Sequence, residues 1–231
     1  MDKGYDSFLG KRLCRRFRRS VLIKADLHIH TVFSNDSSIH PKILVEQLFI
    51  HPNVKAAAIT DHNTAKGYLK VLELASAYPD ITIIPGIEIS AVEGDLLILG
   101  IAEVPPEPWT AENVIDFARD AGGIVIAAHP YREFGLGDLA RNYKFDAIEV
   151  INGGSSNYFN MLAENLAKEM GLPGVAGSDA HKPSELWSAY TIIQSSNDLD
   201  DILKAIKKGL VKAVRGEKSI HFKKACRCLK R

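Results

Sequence analysis

Two histidines separated by one residue close an apolar run, Ala25-Asp26-Leu27-His28-Ile29-His30. In extended chain, residues two apart point the same way, so His28 and His30 project together from one face. Imidazoles held side by side contribute poorly to an apolar core and well to a metal site. Four further segments repeat the arrangement: Thr60-Asp61-His62, Gly86-Ile87-Glu88, Ala128-His129-Pro130 and Ser178-Asp179-Ala180-His181. Each places His, Asp or Glu just beyond a short apolar run. With Asp36 added, the set His28, His30, Asp36, His62, Glu88, His129, Asp179 and His181 offers five imidazoles and three carboxylates. Such mixed nitrogen and oxygen donors suit Zn2+, Mn2+ or Fe2+ better than calcium. Eight donors are too many for one ion with an open position, and about right for two or three divalent metal ions sharing a bridging carboxylate. The chemistry of such clusters is hydrolysis, in which the ions bind phosphate oxygens, supply hydroxide near neutral pH and stabilise the leaving oxygen. Arg132, three residues past His129, has the planar fork that can hold a phosphate bidentately.

These residues need a scaffold that gathers strand ends. Strand signals fall at Val21–His30, Ala56–Thr60, Ile81–Pro85, Glu88–Val92, Leu96–Ile101, Ile124–Ala128, Ala147–Ile151, Val175–Gly177 and Ala189–Gln194. The runs are continuously apolar, as in parallel strands buried on both faces. Helical periodicity appears at Pro41–His51, with Ile43, Leu44, Leu48 and Phe49 on one stripe, and at Ala65–Ala77, Ala111–Ala121, Tyr158–Met170 and Leu199–Lys208. Gly171 and Gly209 read as helix stops. Repeated strand-then-helix units predict a right-handed parallel α/β architecture whose chemistry lies at the carboxyl ends of the strands. Glu93-Gly94-Asp95 breaks the alternation with a tight-turn signal. The prediction is therefore a hairpin inserted into a barrel, or a distorted barrel of about seven parallel units.

The chain has 231 residues, 46% hydrophobic and 25% charged, ordinary for a globular protein and enough for one large α/β domain. No apolar stretch approaches the roughly 18 residues of a membrane span, and the polar, basic amino terminus does not read as a secretory signal. Three cysteines, Cys14, Cys226 and Cys228, are too few and odd in number to read as a disulfide framework, and the expected location is cytoplasmic. The net charge of +1 conceals an asymmetry: residues 1–24 and 217–231 together carry +11, which leaves −10 for the middle. The expected organisation is a basic extension over 1–20, a catalytic domain over 21–216 and a basic tail over 217–231. Basic ends can steer a polyanion, although a solvated tail at each end is the simpler account. His40, His51 and His221 fall outside the motifs and are expected to be solvated or capping. Trp109 and Trp187 are expected to pack at the barrel rim, and Asn152-Gly-Gly154 to form a turn or line the pocket.

In order along the chain, Asp26-Leu-His-Ile-His-Thr-Val-Phe-Ser-Asn-Asp36, Ile59-Thr-Asp-His-Asn63, Pro85-Gly-Ile-Glu-Ile-Ser90, Ala128-His-Pro-Tyr-Arg132 and Gly177-Ser-Asp-Ala-His181 resemble the PHP (polymerase and histidinol phosphatase) family. The resemblance runs from about Lys24 to Arg215. It implies a distorted (β/α)7 TIM-like barrel and a two- or three-metal site that hydrolyses phosphoesters. It also implies that His28, His30, Asp36, His62, His129, Asp179 and His181 are metal ligands, that Glu88 bridges two ions, and that Asp61 orients a ligand from behind. One position departs from the family. Many members carry a His shortly before a Gly in the strand after the glutamate motif, and here Asp95-Leu-Leu-Ile-Leu-Gly100 puts Leu97 at that place. No His occurs between His62 and His129, so a two-metal site is expected as readily as three.

Within a phosphoesterase reading, the substrate is a small monoester, a nucleotide or a nucleic-acid end. The alternative is a non-catalytic or accessory PHP module that binds nucleic acid or metal. A third reading is a related metallohydrolase acting on C–N bonds. It generally needs a carboxylated lysine or another order of histidines, and no lysine ends a strand suitably here.

Overall fold

The computed structural model describes residues 21–216. The two basic segments, the three cysteines and His221 lie outside the described residues. Among the described residues, nine strands and five helices follow one another: β1 (Val21–Asp26), α1 (Pro41–Ile50), β2 (Ala56–Ile59), α2 (Lys66–Ala75), β3 (Thr82–Ala91), β4 (Gly94–Leu99), α3 (Ala111–Asp120), β5 (Ile124–Ala127), β6 (Ala147–Asn152), α4 (Asn157–Met170), β7 (Gly174–Gly177), β8 (Ala189–Ser195), α5 (Leu199–Lys207) and β9 (Val211–Arg215). A single 3-10 turn, Gly137–Asn142, lies between β5 and β6.

All strands join one sheet in the order β7-β6-β5-β4-β3-β2-β1-β8-β9. The neighbours β1, β2 and β3 are parallel, as are β5, β6 and β7. Between the two groups β4 is antiparallel to both its neighbours. The turn signal at Glu93-Gly94-Asp95 thus marks a hairpin whose second strand is a member of the barrel wall, which is why seven parallel units do not form. The sheet closes on itself beyond the regular ends of β1 and β7. His30 N donates to Ala180 O at 3.1 Å, and Asp179 N donates to His28 O at 2.8 Å. At the opposite end β8 runs antiparallel beside β1. There the Thr191 hydroxyl accepts from Ala176 N at 2.8 Å and donates to Ala176 O at 2.9 Å, replacing a ladder between β8 and β7. The result is the distorted, nearly closed barrel that the sequence predicts.

Two strands and one helix face differ from expectation. Thr82–Ala91 is one strand, although Pro85-Gly86 reads as a break. Its first half pairs with β2 and its second with β4, and the exchange occurs at Pro85 and Gly86, where the missing N–H of Pro85 costs no ladder bond. The short β9 carries Lys212 and Arg215 and no continuous apolar run, so its strand character comes from pairing with β8. On α1, Leu44, Val45 and Leu48 are buried, whereas Phe49 of the expected stripe is exposed and lies against Tyr78.

Three apolar clusters hold the fold. One, including Leu27, Ile84, Leu97, Leu99, Ile126 and Ile193, packs with Ile202 and Ile206 of α5. The others fill the gaps between the sheet and α1–α4. Trp187 is buried in one of these and Trp109 leans on another, so both pack as expected.

Candidate metal centre

Apart from Glu88, which lies within β3, and Asp36, in the loop before α1, the candidate donors lie just past strand ends. Regular β1 stops at Asp26, and the next residues continue as the extended segment that pairs with Ala180, carrying His28 and His30 together into the centre. Gly177 at the end of β7 permits this approach, since a Cβ there would overlap the Cβ of His28. His129 and Asp179 both have positive φ, 26° and 51°, a backbone cost that the surrounding hydrogen bonds must hold in place.

Glu88 is the hub. Its Oε2 lies 3.3 Å from His28 Nε2, 3.1 Å from His30 Nε2 and 3.2 Å from His62 Nδ1, while Oε1 lies 3.1 Å from His129 Nε2. Asp179 Oδ1 is 3.4 Å from His28 Nε2 and 3.3 Å from His30 Nε2. Asp36 closes the outer end, with Oδ2 at 3.1 Å from His181 Nε2 and 3.5 Å from His62 Nε2. All eight residues singled out in the sequence therefore meet in one cluster. Within it, His30/His62/His181, His28/His30/Glu88 and His28/His129/Asp179 each have three ligand atoms within 4.8 Å of one another.

The electrostatics fit a cation site. Burial works against charge on His28, yet the carboxylates of Asp179, Glu88 and Glu149 overcome it and hold its pKa well above the usual 6.5. His30 responds in the same way to Asp179 and Glu88 and is pushed up to about 9. Burial would raise Glu88, but His28, His129 and His30 hold it well below the ordinary carboxylate range. Burial alone dominates at His62 and lowers it. The buried atoms Glu88 Oε2, His62 Nδ1 and His129 Nδ1 make no hydrogen bond, and the nitrogens His28 Nε2 and His30 Nε2 face each other at 3.1 Å. Lone pairs converging without donors suit metal ions, and the donor set fits two or three of them.

Behind the donors lies a supporting layer. Asp61 bonds Thr31 and Ser34 rather than an imidazole. Its Oδ1 accepts from Ser34 Oγ at 2.9 Å, and Ser34 Oγ in turn lies 3.1 Å from His30 Nδ1 and accepts from His62 N at 3.0 Å. Arg132 binds Asp179 Oδ2 directly and reaches Asn152 Oδ1 at 3.4 Å. Glu149 and Asp95 escape the sequence motifs, and Asn152 belongs to the segment expected to turn or line the pocket. Glu149 places Oε1 3.0 Å from His28 Nδ1, and its Oε2 accepts from His129 N and from Asn152 Nδ2. Asn152 Nδ2 also donates to Asp179 at 3.2 Å. Asp95 is buried near Glu88 and His129, and burial together with the Glu88 charge raises its pKa to about 6. The available signal for Glu149 was a lone carboxylate inside the apolar run Ala147–Ile151. Leu97 stands opposite Glu88 in the β3–β4 ladder and is buried among Leu99, Ile84 and Ile126.

The centre opens into a cavity of about 530 Å³ whose wall includes Asp36, Glu93, Asp95, Arg132, Glu133 and Phe134. No helix among the described residues is long and apolar enough to cross a membrane. Of the other histidines, exposed His40 occupies the N-cap position of α1, and His51 follows its end with the ring accepting from Val54 N at 2.8 Å.

Residues 26–148 match the PHP domain family and residues 157–211 match the PHP-associated family. An uncharacterized protein of Methanocaldococcus jannaschii is 32% identical over 142 residues, covering 56% of this chain and 82% of its own length. A second from that organism is 29% identical over 178 residues, covering 73% and 69%. Among solved structures, a "putative metal-dependent phosphoesterase" from Bifidobacterium adolescentis aligns with a TM-score of 0.56 at 19% identity, covering 68% of this chain and 87% of that one. PsfC from Pseudomonas syringae aligns with a TM-score of 0.60 at 17% identity, covering 84% and 91%. An amidohydrolase from Chromobacterium violaceum aligns with a TM-score of 0.58 at 18% identity, covering 83% and 97%. At these identities the structural likenesses speak for the fold, and the match over residues 26–148 assigns the chain to the PHP family.

Proposed function

We propose that the protein is a metal-dependent phosphoesterase that uses two or three divalent ions. The observation that carries this reading is Glu88: a buried carboxylate with four imidazole nitrogens within 3.3 Å, reached through an open cavity. His28, His30 and Asp179 would hold one ion, and His62, His181 and Asp36 another, with Glu88 beside both. Bound there, Zn2+, Mn2+ or Fe2+ supplies Lewis acidity and a nucleophile at neutral pH.

The chain's own residues do the rest. Glu149 keeps a proton on His28 Nδ1 and so leaves Nε2 free as a donor. Asp61, through Ser34, fixes the His30 ring. Arg132 uses only part of its five-donor fork on Asp179 and Asn152, which leaves N–H groups for phosphate oxygens. A cavity of about 530 Å³ exceeds what phosphate alone needs and suits a substrate of nucleotide size.

The test is phosphate release by metal-stripped protein resupplied with Mn2+ or Zn2+, across an aryl phosphate, nucleoside mono- and bisphosphates, histidinol phosphate and a short 5′-phosphorylated RNA. Turnover is expected with metal and absent without it, and replacing His28 and His30 together by Ala should abolish both metal content and turnover. Activity persisting in a metal-free double variant would overturn the scheme.

A further inference from the structure

Asp95 has no role in the two ion sites assigned above. It is 5% exposed, the second residue of β4, and its backbone N–H donates to Phe134 O at 2.8 Å. In the β3–β4 ladder Asp95 stands opposite Ser90 and Leu97 opposite Glu88. Directly opposed residues share a face, and so do residues two apart, so Asp95 and Leu97 both face the side of the sheet that carries Glu88. Leu97, at the position where many relatives have an imidazole, is occupied in the core and offers no donor. Asp95 lies one ladder step nearer the cavity, which it lines.

Three ligand atoms, one each from Glu88, Asp95 and His129, lie within 4.8 Å of one another. Two donors on one ion, each about 2.1 Å from it, are at most about 4.2 Å apart, so a shift of roughly half an ångström gathers the set. One of these residues also carries an orphaned atom: His129 Nδ1 is buried and makes no hydrogen bond. The turn that delivers Asp95 is built tightly. Gly94 has φ 145°, and a Cβ on it would strike the Phe134–Leu136 backbone.

From this placement we infer that Asp95 is a metal ligand that replaces the imidazole missing at Leu97, completing a further ion position with Glu88 and His129. The inference rests on the reading of the cluster as a metal centre. It goes beyond that reading in assigning a ligand and in naming the metal class. Two carboxylates and one imidazole make an oxygen-rich position, which favours Mn2+ or Fe2+ there over Zn2+.

The experiment counts ions rather than turnover. Wild type, Asp95→Asn and Asp95→His are stripped, re-equilibrated with Mn2+ or Zn2+, desalted and assayed for metal per chain, with Mn2+ affinity measured by titration. Asp95→Asn keeps the shape and removes the charge that repels Glu88, so the metal-free variant should melt no lower than wild type. It should bind one Mn2+ fewer per chain, or bind the weakest Mn2+ at least about tenfold less tightly. Asp95→His should regain the position with Zn2+ preferred over Mn2+. Unchanged Mn2+ stoichiometry and affinity in both variants would overturn the role of Asp95 while leaving the metal centre intact. A wild type that holds no ion at all would instead overturn the centre itself.

Discussion

His28 meets opposed demands. As a ligand it must be neutral at Nε2, yet Asp179, Glu88 and Glu149 favour its proton, as Asp179 and Glu88 do at His30. Metal and proton therefore compete for the same nitrogens. In the metal-free protein, the His30 pKa is raised from 6.5 to about 9, so its contribution to stability is complete below about pH 6.5 and is lost as pH rises through about 9. Metal-loaded protein needs no such proton. The gap in melting temperature between Mn2+-loaded and metal-free protein should widen from pH 6.5 to 9, and a gap that stays constant across that range would contradict the assignment. At this scale the sequence was legible wherever a donor followed an apolar run. Glu149 and Asp95 were not, since one sits inside such a run and the other in a segment that reads as an ordinary turn. Their importance comes from what lies opposite, Glu149 behind His28 and Asp95 beside Glu88, and no local spacing encodes that.

At the level of elements, the donors come together because β1 and β7 pair beyond their regular ends. That closure requires the backbone of Gly177 to lie against His28. A methyl group there must push the β7 end from the β1 extension. Gly177→Ala should cost about 1–3 kcal/mol of stability, as overpacked cores do, and weaken Mn2+ binding with it. Denaturant unfolding and metal titration on the same sample check both effects, and a stable variant with unchanged affinity would show that the contact is slack. The strand-then-helix alternation made most of the barrel readable in advance. The misread strands share one cause: their state is decided by a partner strand. Pro85-Gly86 remains within β3 because pairing passes there from β2 to β4, and β9 exists through its ladder with β8, whereas β4 turns antiparallel as the expected hairpin requires.

For the whole molecule, the proposed activity makes charge the factor that decides which phosphoester can approach. Residues 1–24 and 217–231 carry +11 between them and the intervening chain −10. The cavity wall adds to this, with Glu93 and Glu133 beside Arg132. Bound ions offset the carboxylates at the centre, whereas the acidic body remains and repels a long polyanion. A mononucleotide brings little charge beyond the phosphate that enters, and it matches a cavity of about 530 Å³. The expected preference is for the mononucleotide over the same nucleotide at the end of a ten-residue oligonucleotide. Salt gives the sign. If the body dominates, raising NaCl from 50 to 300 mM screens the repulsion, and the difference in kcat/KM between the two substrates narrows. If the basic ends held the polyanion, counterion release would make its kcat/KM fall steeply with salt, and the difference would widen. Parallel salt titrations of both substrates on the full chain distinguish these cases, and we expect narrowing, because Asp36, Glu93 and Glu133 line the cavity that every substrate must enter.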